Sequence, residues 1–328
     1  MRKYKVVSMF SGCGGMDLGF LGGFNSLGVA YKKRPFEIIW ANDLNAYACA
    51  TYKHNLQHNI HIGNIWDHID SMPSTCDVLI GGFPCQDISI NGKRAGVAGA
   101  RSGLYRAMVE AVDNMKPKMF IAENVRGLLF KYNKDSLEKV ISDFSSLGYK
   151  VSYRLYNAAN FGIPQGRERV LIVGVLDDVI EFDPPKETFT KDQWISSKSA
   201  IDDLCQLDID PEFSHIWSLA AKTTDQGARV LDPNKPAPTV RAECHGNNPF
   251  HYSLPRRVSM RESARFQSFP DSFIFKARLR ETERMIGNAV PPVLAWHLSG
   301  AVETTLSKIE AALKDKEDNS PFNAIAAE

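Results

Sequence analysis

The sequence lacks most of the features that would classify it at a glance. Its 39 basic and 38 acidic side chains leave a formal charge of +1 over 328 residues, a total that by itself points to no class of partner. None of the six cysteines (13, 49, 76, 85, 205 and 244) belongs to a paired C-x-x-C array, which argues against a structural zinc site; no metal ligands are expected. The even number permits disulfides only arithmetically. No apolar run approaches the ~20 residues of a membrane-spanning helix. The early pair Val6 and Val7 soon gives way to Ser11-Gly12-Cys13-Gly14-Gly15, which breaks any secretory hydrophobic segment. No internal repeat is found. The expectation is a reduced, cytoplasmic protein. At 44% hydrophobic it has ample core material, and its length suggests two domains or one large domain with an insertion.

What is present is an alternation of strand-like and helix-like segments. Strands are expected at 5–10, 36–41, 76–83, 119–122 and 170–175, with a helical pattern through Leu18, Phe20 and Leu21 and helices at 44–54, 104–115 and 136–147. Such alternation predicts an α/β fold with a doubly wound, mostly parallel sheet. It breaks near 182, where Asp183-Pro184-Pro185 reads as a linker. Residues 186–255 are turn-rich, helical signals return at 260–266 and 293–313, and the polar tail from Lys314 is expected to be disordered. Between 241 and 284, nine Arg/Lys face five acids, an excess that suits a polyanion, with a solvated or salt-bridged face as the plainer reading.

Residues 81–86, Gly-Gly-Phe-Pro-Cys-Gln, carry the sharpest signal. Cys85 follows a proline at the end of an apolar strand, the edge at which open α/β sheets place ligands, so it is a candidate nucleophile; a buried structural cysteine is the alternative. The Gly-rich turn 12–15 lies between a strand and a helix, where a ligand can approach the backbone. Asp43 ends the second strand, where an acid accepts ribose hydroxyls or caps the next helix. Glu123 follows a buried strand, and Arg167 and Arg169 lie in Gln-Gly-Arg-Glu-Arg. A thiol, a carboxyl group and a guanidinium in one pocket suit attack on an electron-poor heterocycle, although a helix cap and surface charges would also explain the last three.

In these segments the chain resembles the DNA (cytosine-5)-methyltransferases of bacterial restriction-modification systems. The resemblance covers about 5–180 and 255–310 and rests on strings in the family's order: Phe-Ser-Gly-Cys-Gly-Gly (10–15), Asn-Asp (42–43), Gly-Asn-Ile (63–65), Gly-Phe-Pro-Cys-Gln (82–86), Arg-Ser-Gly-Leu (101–104), Glu-Asn-Val (123–125), Gln-Gly-Arg-Glu-Arg (165–169), Arg-Glu-Ser-Ala-Arg-Phe-Gln-Ser-Phe-Pro-Asp (261–271) and Gly-Asn-Ala-Val-Pro (287–291). It implies an S-adenosylmethionine-dependent methyltransferase fold in which Cys85 attacks C6 of a flipped-out cytosine, Glu123 bonds N3 and the exocyclic amine, Arg169 binds O2 and Arg167 supports the pocket. Phe10, Gly12, Gly14, Asp43, Asn64, Ile65, Pro84, Leu104, Asn288 and Val290 would line the cofactor site. Asn64 stands where the family usually has Asp, and Asp43 is shorter than the commoner Glu. Residues 86–103 would form a glycine-hinged closing loop, with Lys93 and Arg94 on phosphates and Ser89 or Asn91 filling the space left by the base.

The resemblance further implies domains at 1–182 (catalytic and cofactor-binding), 183–256 (target recognition), 257–284 (hinge and support) and 285–313 (return to the catalytic domain), ahead of the tail 314–328. Target reading would fall to Thr239, Arg241, His245 and Asn247, with Arg256, Arg257 and Arg261 on phosphates. The expected partners are double-stranded DNA and a cognate restriction endonuclease sharing its site, for a monomer in a bacterial cytoplasm. The stretch 24–37 has no assigned role; a basic loop near DNA or a neutral insertion are its two readings. Three alternatives remain: an RNA cytosine-5 methyltransferase, whose Cys-Phe-Thr signature is missing; a non-catalytic DNA-binding regulator; and an NAD-dependent dehydrogenase, which leaves 82–86 and 287–291 unexplained.

Overall fold

The computed structural model describes residues 2–83, 103–177, 179–219, 229–242 and 248–318. The chain runs through β1 (Tyr4–Met9), α1 (Gly15–Leu21), the short pair β2 (Phe24–Ser26) and β3 (Val29–Tyr31), β4 (Phe36–Asp43), α2 (Ala46–Leu56), β5 (His61–Ile62) and β6 (Val78–Gly82). It resumes with α3 (Leu104–Met115), β7 (Met119–Val125), α4 (Lys134–Ser145), β8 (Lys150–Asn157), β9 (Gln165–Gly166) and β10 (Glu168–Val175). The less regular part holds α5 (Ser197–Ile201) and β11 (Ala237–Pro238), followed by α6 (Met260–Phe266), α7 (Leu279–Asn288) and α8 (Pro292–Asp318).

Seven strands form one sheet in the order β5-β4-β1-β6-β7-β10-β8. The β5, β4, β1, β6 and β7 pairings are parallel, and β10 runs antiparallel to both β7 and β8. The central strands are apolar almost without alternation because helices cover both faces: Val78, Leu79, Ile80, Met119, Phe120, Ile121 and Ala122 are fully buried. One face packs against α1 and α8 through Phe20, Leu294, Leu298 and Val302. The other packs against α3 and α4 through Met108, Val112, Val140 and Phe144. A third core, including Ile201, Leu231, Val240, Phe266, Phe269 and Ile286, reaches back to Cys13 and Ala48, so the less regular part shares side-chain packing with the sheet's active edge.

Four features depart from the expectations. β8 pairs with β10 and departs from the expected strands, because only Tyr156 of its eight residues is buried and the apolar signal is weak. α7 was likewise missed, since only Thr282, Met285, Ile286 and Gly287 of its ten residues are buried. α8 continues to Asp318, past the tail start expected at Lys314. The stretch 24–37 is a structural strap: Phe24 stacks on Tyr31 at 5.1 Å, the Arg34 guanidinium lies 4.1 Å over Trp296 and 3.1 Å from Glu303, and Trp296 Nε1 donates to the Lys32 carbonyl at 2.8 Å. The Arg34 side chain and the Lys32 backbone carbonyl thus tie the strap to α8.

Candidate active site

A cavity of about 450 Å3 opens at the C-terminal ends of β1, β4, β6 and β7, lined among others by Phe10, Gly12, Asp43, Leu104, Glu123, Arg169, Asn288 and Val290. This is where a parallel sheet gathers strand ends and helix N-termini. Phe10 turns the chain off β1 with φ 55°, a left-handed conformation that costs a non-glycine residue about 1–3 kcal/mol. Gly12 follows at φ +57°, and the space where a Cβ would point is open. Its N–H donates to Asp43 Oδ2 at 2.8 Å, while Asp43 Oδ1 accepts from Asn45 N at 2.8 Å. Burial pushes the Asp43 pKa up and these two bonds oppose that rise. Asn45, not Asp43, caps α2, accepting from the N–H groups of Tyr47 and Ala48. Asp43 therefore keeps acceptor capacity toward the cavity, since a carboxylate offers about four lone-pair directions.

The far end of the cavity is built on β6 and β7. Gly82 pairs with Glu123, and a Cβ on Gly82 would come within 3.0 Å of Glu123 Oε2, so the glycine leaves room for the carboxylate. Arg169, one strand over on β10, sets its Nε 2.8 Å from Glu123 Oε1; both side chains are 11% exposed. That contact is an ion pair without aligned hydrogen-bond geometry, because Oε1 has no hydrogen-bond partner among the described residues. A buried acceptor without a donor is costly in isolation and suits a site awaiting a ligand N–H. Asn124 was given no role from sequence. Facing the opposite way from Glu123 along β7, it donates from Nδ2 to the Phe83 carbonyl at 3.0 Å, anchoring the backbone just before Pro84 and Cys85.

Pro84, Cys85, Ser89, Asn91, Lys93 and Arg94 lie outside the described residues, as do His245 and Asn247. Of the described cysteines, Cys13, Cys49 and Cys76 have thiols pushed up to about 12 by burial, which leaves them un-ionised and unreactive near neutrality. Among the described residues no cluster of His, Cys, Asp or Glu could hold a metal ion.

Several expected site residues sit elsewhere. Gly14 points into Tyr52 and Leu56, Ile65 is buried in the core beneath α3, and the Asn64 carbonyl caps the turn 65–67 through Trp66 N at 3.2 Å; none of the three lines the cavity. Arg167 does not face the pocket. It is fully buried and donates to the carbonyls of Val240 (3.0 Å), Gly287 (2.8 Å) and Ala289 (3.0 Å), so it braces the backbone instead of touching a reacting atom. The phosphate contacts expected of Arg256, Arg257 and Arg261 are also corrected. Arg256 makes two bonds to the buried Glu262 and lies 4.3 Å over Trp217. Arg257 is buried against Phe250 and the Asn248 carbonyl, and Arg261 holds the carbonyls of Phe213, Pro270 and Phe273. Each guanidinium is spent inside the fold, where carbonyls repay its desolvation. Thr239 donates to the Gly166 carbonyl at 2.8 Å, and Arg241 is exposed beside it.

The cavity fits S-adenosylmethionine in size and chemistry: an aromatic and aliphatic wall for the adenine, an acid for the ribose and an open glycine turn. Comparison with known proteins agrees. The family model described as C-5 cytosine-specific DNA methylase matches residues 4–226 and 212–303. The chain is 36% identical over 325 residues to the Type II methyltransferase M.NgoFVII of Neisseria gonorrhoeae, covering 89% of this chain and 84% of that protein. It is 31% identical over 344 residues to M.NgoPII of the same organism, covering 93% and 96%. The fold matches the Entamoeba histolytica methyltransferase EhMeth (TM-score 0.66, 17% identity, 93% and 99% of the two chains) and S. pombe Dnmt2 methyltransferase (TM-score 0.68, 17% identity, 92% and 99%). The chain belongs to the C-5 cytosine-specific DNA methylases and is a DNA cytosine-5 methyltransferase that uses S-adenosylmethionine.

Proposed function

We propose that the reaction proceeds through a covalent bond between Cys85 and C6 of a cytosine flipped out of double-stranded DNA, with Glu123 and Arg169 holding the base. The carrying observation is the buried Glu123 Oε1, which lacks an aligned donor while sitting 2.8 Å from Arg169 Nε at the cavity's end. Glu123 bonds the N3 edge and accepts from the exocyclic amine, and Arg169 donates to O2. The Cys85 thiolate adds to C6, and the displaced π electrons make C5 nucleophilic. S-adenosylmethionine supplies the methyl group when bound. Loss of the C5 proton to solvent then expels the thiolate and restores the ring. Phe83, two residues before Cys85 in the chain, is anchored by Asn124 at this edge of the sheet. Phe10, Gly12, Asp43, Leu104, Asn288 and Val290 would hold the cofactor, and Arg167 acts as a positioning residue.

Names of the relatives support one extension. As Type II methyltransferases of a bacterium, they support an enzyme that protects sites also cut by a cognate endonuclease; action as a monomer in the cytoplasm is part of the same proposal and does not rest on those names. Purified protein, unmethylated plasmid and S-adenosylmethionine, followed by bisulfite sequencing, test the reading. One protected cytosine in a fixed motif is expected. Cys85→Ala should abolish protection while DNA and cofactor still bind; a variant that still methylates would refute the assigned nucleophile.

A further inference from the structure

Val240 lies two residues beyond β11, between Thr239 and Arg241, and both of its backbone groups are held by buried side chains. Its N–H donates to Gln165 Oε1 at 2.9 Å, and its carbonyl accepts from Arg167 Nη1 at 3.0 Å. From there two bridges reach the cofactor wall. Gln165 Nε2 donates to Gln267 Oε1 at 2.9 Å, and Gln267 Nε2 donates to the Ile286 carbonyl at 2.6 Å and the Ala289 carbonyl at 3.3 Å. Arg167 Nη2 donates to Gly287 and Ala289 carbonyls at 2.8 and 3.0 Å. Gln165, Arg167 and Gln267 are all fully buried. The donors and acceptors admit one orientation of each amide, because Val240 N–H needs an oxygen and the carbonyls need N–H groups. Gly287 is the contact point between the two segments: a Cβ there would overlap the backbone of Arg241 and Ala242. Asn288 and Val290, on the same turn, line the cavity.

We propose that Gln267, acting through Gln165, is a positioning residue that couples engagement of DNA by the 239–241 segment to affinity for the cofactor. The inference rests on the reading of 239–241 as a DNA-contacting segment. Neither segment can shift alone without leaving buried donors or acceptors unpaired, which costs more than the bonds contribute net. A ligand that orders one segment therefore orders the other, and the second ligand finds that entropy already spent. Coupling is reciprocal, so the cofactor should tighten DNA binding by the same factor that DNA tightens cofactor binding.

The test measures the affinity of S-adenosylhomocysteine with and without a duplex carrying the motif found by bisulfite sequencing. In the wild type, DNA should tighten binding about 10-fold or more. In Gln267→Met, which keeps side-chain volume but removes all three hydrogen bonds of the amide, the DNA-free affinity should stay within about 3-fold of wild type while most of the gain disappears. A purely structural role would weaken DNA-free binding and leave the ratio intact, and that result overturns the proposal. Amide exchange at Val240 in the unmodified protein tests the relay without DNA and without a variant. S-adenosylhomocysteine should slow it about 10-fold; unchanged exchange overturns the proposal even if Gln267→Met fails to fold. A wild type that methylates no cytosine would instead refute the reaction proposed above and leave the exchange result to decide the relay.

Discussion

Asp17 offers a prediction whose size follows from its surroundings. It is fully buried on α1, its Oδ1 accepts from the Tyr52 hydroxyl at 2.9 Å, and its Oδ2 has no hydrogen-bond partner among the described residues. Burial, the largest influence, pushes its pKa from 3.8 up to about 6, with the Ser8 and Tyr52 hydroxyls opposing. The folded protein thus holds a proton that the unfolded chain has released between those values, and stability falls as pH rises through the window. The separation between 3.8 and about 6 corresponds to about 3 kcal/mol, fully lost above pH 6. Asp17→Asn removes the ionisation and keeps an acceptor for Tyr52. Its amide adds N–H groups beside the former Oδ2, a cost of about 1–3 kcal/mol if they stay unpaired. Urea unfolding of both proteins from pH 4 to 8 measures the difference, and the histidines, common to both, cancel. The variant should gain about 2 kcal/mol relative to wild type between pH 4 and pH 7.5, whatever its offset at pH 4, because the unfolded chain has already begun to ionise at pH 4. A difference that does not change with pH would refute the assignment of a buried, proton-holding carboxyl at this position.

Other outcomes follow from the geometry. Glu123→Gln should lower kcat at least 100-fold with little loss of DNA affinity, read in steady-state methyl transfer against a binding assay, since it removes the carboxyl group that answers charge on the base. Arg256→Ala should cost about 3 kcal/mol by stranding the buried Glu262, visible in urea unfolding. The salt dependence of DNA binding should be unchanged in that variant, where loss of a phosphate contact would have lowered the slope. Gly19→Ala should destabilise by about 1–3 kcal/mol, because its Cβ would overlap Ala295 and the Pro292 carbonyl where α1 crosses α8. As α8 follows directly on the turn bearing Asn288 and Val290, S-adenosylhomocysteine binding should weaken with it, measured by calorimetry.

The Arg-rich stretch 241–284 divides in the structure. Arg256, Arg257, Arg261 and Arg265 are held by carboxylates, carbonyls or rings of the protein itself, in line with the plainer reading of a salt-bridged face, while Arg241, Lys276, Arg278, Arg280 and Arg284 are exposed. The stretch 24–37 offers the complementary case: its lysines are exposed, but Arg34 lies against Trp296 and Glu303. Neither destination is local, and no pattern of neighbouring residues encodes it.

By itself the sequence determined the alternation of apolar strands and amphipathic helices over the first 175 residues, the glycine turn before α1, and an acid at the end of β4. These depend on neighbours two to four residues apart, where side-chain periodicity and turn chemistry act directly. Glu123 and Arg169 came from the family resemblance; their 2.8 Å approach depends on β10 running antiparallel, which brings the start of that strand to the edge where β7 ends. Only the tertiary structure decided that β8 and β10 run antiparallel, that Asn124 anchors Phe83, and that Arg167 braces carbonyls 73 and 120 residues away instead of facing the pocket. A buried guanidinium goes where unpaired carbonyls converge, and that convergence exists only once distant segments have packed.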